Sequence, residues 1–221
     1  NVRCIVVGME PYQPELFDTE ALRREAVAAK PWHGAPLAYT TDYYSPEDLT
    51  AAFERFVAER GNFGCIPRSH MWHLPPDVRT MEEGPRPLVE WNEHEMWLFS
   101  ADCRCEKTDH AHAEGEIPAA LMHQAICPGC GWHAIDSSDT RVAQAWHDHA
   151  MPGWRDLPIV PIEISRIVDD RKRRLKLQAW LMTHYPAAWQ RPGSPITTFV
   201  AADTRSILPH PYQGHSFARR A

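Results

Sequence analysis

Cys127-Pro128-Gly129-Cys130-Gly131-Trp132-His133 is the stretch on which the fold turns, and Cys103-Arg104-Cys105 stands upstream of it. The two-residue spacer of the C-x-x-C pair lets both sulfurs face one point. Gly131 permits the left-handed turn that aims backbone N–H groups at sulfur. Four thiolates delivered as two close pairs surround a divalent cation tetrahedrally at about 2.3 Å per bond. Cys103, Cys105, Cys127 and Cys130 are therefore expected to hold one structural Zn²⁺. The C-x-C pair is the less specific half, because strand residues i and i+2 share a face but lie about 6.6–7 Å apart, so a turn is needed if both bind. His133, His147 and His149 are the natural substitutes should one of these two cysteines fail to reach the ion.

Working outward, Glu95 to Ala101 reads as a strand that delivers Cys103 and Cys105, and residues 106–120 read as a polar loop. Leu121 to Ile126 reads as a returning strand that brings up the knuckle. Asp136-Ser137-Ser138-Asp139 then caps a helix to about Ala150, with Val142, Ala145, Trp146 and His149 on one face. This order predicts a zinc-ribbon or treble-clef-like module, with His149 as a core residue or a supporting partner of the metal ligands. Pro152-Gly153 stops the helix. The two prolines in Leu157-Pro158-Ile159-Val160-Pro161-Ile162 confine that segment to a sheet edge or an extended linker.

On the N-terminal side, Arg3 to Val7 suits a strand, and Asp18 caps a helix reaching Lys30. Ser45-Pro46-Glu47-Asp48 is a sharper signal. It places an N-cap, a proline at the first helical position and two acids in the first turn, followed by Leu49, Ala52, Phe53, Phe56 and Val57 at helical spacing, with Gly61 as the stop. Residues 61–73 crowd Cys65, His70, Met71, Trp72 and His73 between glycines and a proline. The proline-rich stretch from Leu74 to Pro87 is the most natural internal boundary. On the C-terminal side, Ser165 to His184 predicts one long helix, with Ile164, Ile167, Val168, Arg171 and Leu175 on a stripe that Leu177, Leu181 and His184 continue. A strand from Ile196 to Ala201 and an irregular tail follow. Trp180, Tyr185, Trp189 and Tyr212 read as anchors of a small core. The divisions are residues 1–87, an α+β region; 88–162, the metal module and its helix; and 163–221, the basic helix with the last strand and tail, all packed as one unit. The fold class is α+β, a small mixed or antiparallel sheet with three to four helices.

The 221 residues are 43% hydrophobic and 24% charged, and no apolar run approaches the roughly 18 residues of a membrane span. The start lacks the apolar core and cleavage site of a secretory signal, so a cytoplasmic location is expected. There, with four of the six cysteines in a C-x-C and a C-x-x-C pair, the pattern points to metal before disulfides. The net charge of −6 conceals a split: residues 1–150 hold 12 Lys/Arg against 24 Asp/Glu, whereas residues 151–221 hold 11 against 5. The acidic body argues against broad nonspecific DNA binding. The run Arg171, Lys172, Arg173, Arg174 and Lys176 is the candidate contact for phosphates or an acidic partner.

A second metal reading competes. His112-Ala113-Glu114 followed by C-P-G-C approaches the zinc deaminase pattern, in which a histidine and two cysteines hold Zn²⁺ and a glutamate shuttles protons. The proline follows Cys127 where that pattern has it before, and Gly115 and Pro118 discourage a helix beginning at Glu114. With four cysteines on the ion, no position is left for water. The nucleophile-elbow, phosphate-loop, dinucleotide and H-E-x-x-H motifs do not occur.

Asp42-Tyr43-Tyr44-Ser45-Pro46-Glu47-Asp48-Leu49, the segment from Gly61 to Trp72, the knuckle with its helix and the following M-P-G-W-R-D-L-P-I-V-P (residues 151–161), and Y-P-A-A-W-Q-R-P-G-S-P-I-T-T (185–198) together resemble an uncharacterised family of small cytoplasmic proteins. Many of these are carried by bacteriophages of actinobacteria. The resemblance runs over most of the chain from about Pro36 and brings no catalytic residue with it. It implies a phage or prophage accessory protein with a zinc-ribbon-like element. The expected role is a binding or regulatory module for nucleic acid or nucleic-acid machinery. A host-protein binder using the acidic half and a zinc-dependent hydrolase or deaminase are the alternatives.

Overall fold

The computed structural model describes residues 19–61, 70–74, 85–104, 117–191, 193–201 and 204–208. Five helices run through them: α1 (Thr19–Ala28), α2 (Pro46–Arg60), α3 (Asp139–Ala150), α4 (Ile162–Ser165) and α5 (Asp170–His184). The strands are β1 (Val89–Trp91), β2 (His94–Asp102), β3 (Leu121–Cys127), β4 (Trp132–Asp136), β5 (Ile196–Ala201) and β6 (Thr204–Leu208). The class is α+β as the sequence implies, with five helices where three to four are expected. β1, β2, β3 and β4 form an antiparallel sheet in chain order, and β5 and β6 form a separate hairpin.

The four-stranded sheet is buried on both faces, and strand alternation sorts its residues. Trp97, Phe99, Ala101 and Ile126 join Leu49, Ala52, Phe53 and Phe56 of α2 with Met71, Trp72 and Leu74. Met96, Ala125 and Cys127 join Val142, Ala143, Trp146 and Ala150 of α3, together with Trp154, Leu177, Leu181, Tyr185 and Ile196. The first core draws on residues from either side of position 88, and the second spans position 163. His73 and Ser100 form an antiparallel bridge that brings residues 70–74 against β2. Two buried tryptophans satisfy their indole N–H groups on backbone carbonyls: Trp72 Nε1 donates to the Thr40 carbonyl at 2.8 Å and Trp146 Nε1 to the Glu95 carbonyl at 2.9 Å.

Caps set the helix boundaries where the sequence places them. Ser45 accepts from the Asp48 N–H with Pro46 in the first turn of α2, and the Gly61 N–H closes that helix on the Val57 carbonyl with φ of 91°. Ser138 caps α3 by accepting from the Arg141 N–H. The predicted helix over 165–184 divides instead. Asp169 accepts from the Lys172 N–H and starts α5 afresh, after the short α4. An aspartate with an extended backbone competes for the N-cap and breaks the run. The break also turns the predicted stripe: Leu177 and Leu181 are buried, whereas Val168 is 94% and Leu175 60% exposed. Val160 bridges in parallel to Thr198, which places the proline-flanked segment at a sheet edge. The strand expected at Arg3 to Val7 and residue Tyr212 lie outside the described residues.

Leu181→Ala is expected to destabilise the protein by about 2–5 kcal/mol through the cavity it opens. Leu175→Ala should stay within about 0.5 kcal/mol. Urea midpoints of the two variants measure the difference, and similar losses would show that α5 is packed on its other side.

Candidate metal centre

Three chain segments meet at one end of the sheet. The first is the β1–β2 hairpin, where Asn92 adopts φ of 53° and Trp91 pairs with His94. The second is the knuckle between β3 and β4, a single 3-10 turn over Pro128–Cys130 closed by Gly131 at φ 60°. Gly129 adjoins the hairpin, where an added Cβ would meet the Glu93 carbonyl oxygen at 3.4 Å, an ordinary contact distance. The third is the last turn of α3, which carries His149.

These segments bring His94, Cys127, Cys130 and His149 together, with one donor atom from each lying within 4.8 Å of all the others. His94 Nδ1 is 3.6 Å from Cys127 Sγ and 3.3 Å from Cys130 Sγ. In a tetrahedral shell with metal–sulfur bonds of about 2.3 Å and metal–nitrogen bonds of about 2.0–2.1 Å, donors stand roughly 3.3–3.8 Å apart, so the two His94 contacts are already close to ligand spacing. His149 Nε2 is buried and has no hydrogen-bond partner. An imidazole nitrogen in that position has given up water without replacement, which disfavours the fold unless something fills the gap. A cation between the four donors would do so.

The surroundings fix the donors. The Trp132 ring stacks on His149 with centroids 4.7 Å apart and planes 4° from parallel, and His94 meets His149 edge-on at 5.1 Å. Burial first, and then the nearby His94, pushes the His149 pKa down, which favours the neutral imidazole that a metal needs. Burial raises the Cys127 thiol, opposed by hydrogen bonds from the backbone N–H groups of Glu95 and Cys130. Cys127 is buried and Cys130 exposed, so the cluster lies at the protein surface with one sulfur inward.

Of the four cysteines expected to share one ion, Cys127 and Cys130 lie in this cluster. Cys103 is placed elsewhere. It follows β2 beside Ala120, whose carbonyl accepts its N–H, and Asp102 pairs with Leu121. From Leu121 to Cys127 the strand advances about 20 Å. Cys103 also lies on the other face, 1% exposed in the core shared with α2. Cys105, like His112 and Glu114 of the deaminase reading, lies outside the described residues. Of the three substitute histidines, only His149 joins the cluster. His133 Nε2 hydrogen-bonds the Thr41 carbonyl at 3.1 Å and its ring packs on Tyr43. His147 donates Nδ1–H to the Ala143 carbonyl at 2.5 Å within the core, where burial pushes its pKa down to about 4.

His94 is the member of the cluster that sequence reading passes over. The signal was available in Trp91-Asn92-Glu93-His94: an asparagine suited to a left-handed turn opens a hairpin, and alternation from Met96 then puts His94 on the face that carries Cys127. The basic residues of α5 lie away from this set. Arg171, Lys172, Arg174 and Lys176 are exposed, while Arg173 pairs with Asp170 at 2.5 Å.

Fold and site together define an α+β protein with a two-cysteine, two-histidine cluster able to hold a metal ion. Residues 34–217 match the model of a family of unknown function, DUF6349, and the chain belongs to that family. No curated protein and no solved structure matches the chain.

Replacing Cys127 by Ser or His94 by Ala should strip the purified protein of bound metal, taking it from about one ion per chain toward none. Cys103→Ala should leave the content unchanged. Elemental analysis after dialysis against a weak chelator distinguishes the cases, and metal loss on Cys103→Ala would restore the four-cysteine set.

Proposed function

We propose that the protein is a structural-zinc binding module with no catalytic role, in which Zn²⁺ held by His94, Cys127, Cys130 and His149 locks the sheet to α3 and so presents a fixed surface to a macromolecule. The observation that carries this reading is the convergence of the four donors around a buried and unpartnered His149 Nε2. Two thiolates and two imidazoles suit Zn²⁺ in preference to Mg²⁺ or Ca²⁺, which take oxygen ligands. Four protein donors complete a tetrahedral shell, the composition of a structural site; a catalytic zinc keeps one position for water or substrate.

The partner is nucleic acid or the machinery that handles it, in line with the phage or prophage accessory role that the family resemblance implies. The contact surface is α5, whose Arg171, Lys172, Arg174 and Lys176 are exposed and make no ion pair with the described residues. Among the described residues no helix is long and apolar enough to cross a membrane.

Removing the metal with a strong chelator should lower the thermal midpoint reversibly, and adding Zn²⁺ should restore it, because free zinc about 100-fold above its Kd contributes about 2.7 kcal/mol to the folded state. A metal-free chain with an unchanged midpoint would end the structural-zinc reading. Neutralising Arg171, Lys172, Arg173 and Arg174 should weaken binding and flatten its salt dependence by roughly one unit of slope for each phosphate no longer neutralised. Unchanged affinity and slope for every nucleic-acid and protein probe would remove α5 as the binding surface.

A further inference from the structure

α5 combines two surface features that phosphate binding does not require together. Leu175, Ala179 and Met182 follow one another at spacings of four and three and share one face of the helix. All three are exposed, Leu175 by 60% and Met182 by 56%. Four of the six large hydrophobic side chains exposed among the described residues, Ile162, Val168, Leu175 and Met182, lie on α4, α5 or the link between them. The opposite face of α5 is anchored by Leu177 and Leu181, so the helix is held in the fold while this seam faces out.

The bases border the seam on both sides. At 100° per residue, Arg171 and Arg174 fall along one edge and Lys172 and Lys176 along the other. None of these four is neutralised by a carboxylate of the described residues, whereas Arg173, nearer the anchored side, is paired with Asp170. An apolar seam between two rows of exposed cations has a complement of definite form: an apolar seam between two rows of carboxylates. A second copy of this helix would set cation against cation. A phosphate backbone would satisfy the bases and leave Leu175 and Met182 in water. α5 is about 22 Å long, which matches four turns of a partner helix.

We infer that α5 is the docking site for an acidic amphipathic helix of a partner protein, laid along Leu175, Ala179 and Met182 with its carboxylates on Arg171, Arg174, Lys172 and Lys176. This deepens the binding-module reading and rests on it, assigning the contact to protein machinery in place of the nucleic-acid polymer. Helix-in-groove recognition of this kind is read through anchors at helical spacing, with the charges setting orientation and on-rate.

The test uses the full chain in its metal-loaded form. Probes are a fluorescent synthetic peptide of about 18 residues, long enough for a helix matching α5, with leucines at helical spacing and glutamates on both flanks; the same peptide with serines for leucines; a short DNA duplex; a single-stranded RNA; and vesicles of phosphatidylcholine with phosphatidylserine. The leucine peptide should bind, and the serine peptide should bind at least about tenfold more weakly. Leu175→Ser with Met182→Ser should cause a loss of similar size while leaving helicity and metal content unchanged. Absence of leucine-peptide binding, equal affinity for both peptides, or indifference to the serine pair would overturn the inference. Preferential binding of duplex or RNA that needs the bases and ignores the serine pair would overturn it too and leave the binding-module reading intact. Vesicle binding in preference to the peptide would replace the protein partner by a lipid surface. If no probe binds and the charge-neutralised variant behaves as wild type, the binding-module reading falls with it.

Discussion

A sheet buried on both faces leaves no freedom in register, because a slip of one residue would send every core side chain of a strand to the wrong side. β2 is under this constraint along most of its length: Met96 faces α3, while Trp97, Phe99 and Ala101 face α2. β3 repeats it with Ala125 and Cys127 on one side and Ile126 on the other. The register decides which cysteines can meet. Cys127 shares its face with His94 and lies over the end of α3, whereas Cys103 lies beyond the far end of β2 and on the other face. Chemical type made both Cys103 and Cys127 candidates for metal, and strand geometry separates them.

His147 and His149 show the same selection on a helix. Two positions apart on α3, they point about 200° from one another around the axis. His147 enters the core beside Trp146 and Trp154, spends its Nδ1–H on the preceding turn and is held neutral by burial. His149 turns toward the knuckle under Trp132 and keeps an uncommitted Nε2. Gly129 lies beside the hairpin that carries His94, so knuckle and hairpin adjoin through their backbones.

Much of this architecture could be read from residue patterns, and the failures share a cause. α2, β2, β3, the knuckle and α3 carry local signals: a serine–proline cap, alternating apolar residues, a C-x-x-C-G turn and a Ser138 cap. The misreadings concern pairing between elements. β1 has three residues and β4 five, too short to stand out before their partners are known. The apolar periodicity running from Ile164 through Leu175 suggested a buried stripe, yet Asp169 restarted the helix and Leu177 and Leu181 went inward. C-R-C looked like half a metal site from its close spacing, and strand register places Cys103 on the face away from Cys127. The basic run, by contrast, was legible as surface from its charge, and the structure leaves most of its cations without ion-pair partners among the described residues.

The connection between β2 and β3 leaves the sheet after Asp102 and returns at Leu121, at the edge remote from the histidine–cysteine cluster. Both ends of that connection are tied down, by the Asp102–Leu121 pairing and by the Cys103 N–H on the Ala120 carbonyl. Lengthening a tethered segment adds closure entropy only logarithmically. Relatives are therefore free to differ in size between these two points, or to host a foreign sequence there, with the donor geometry left in place.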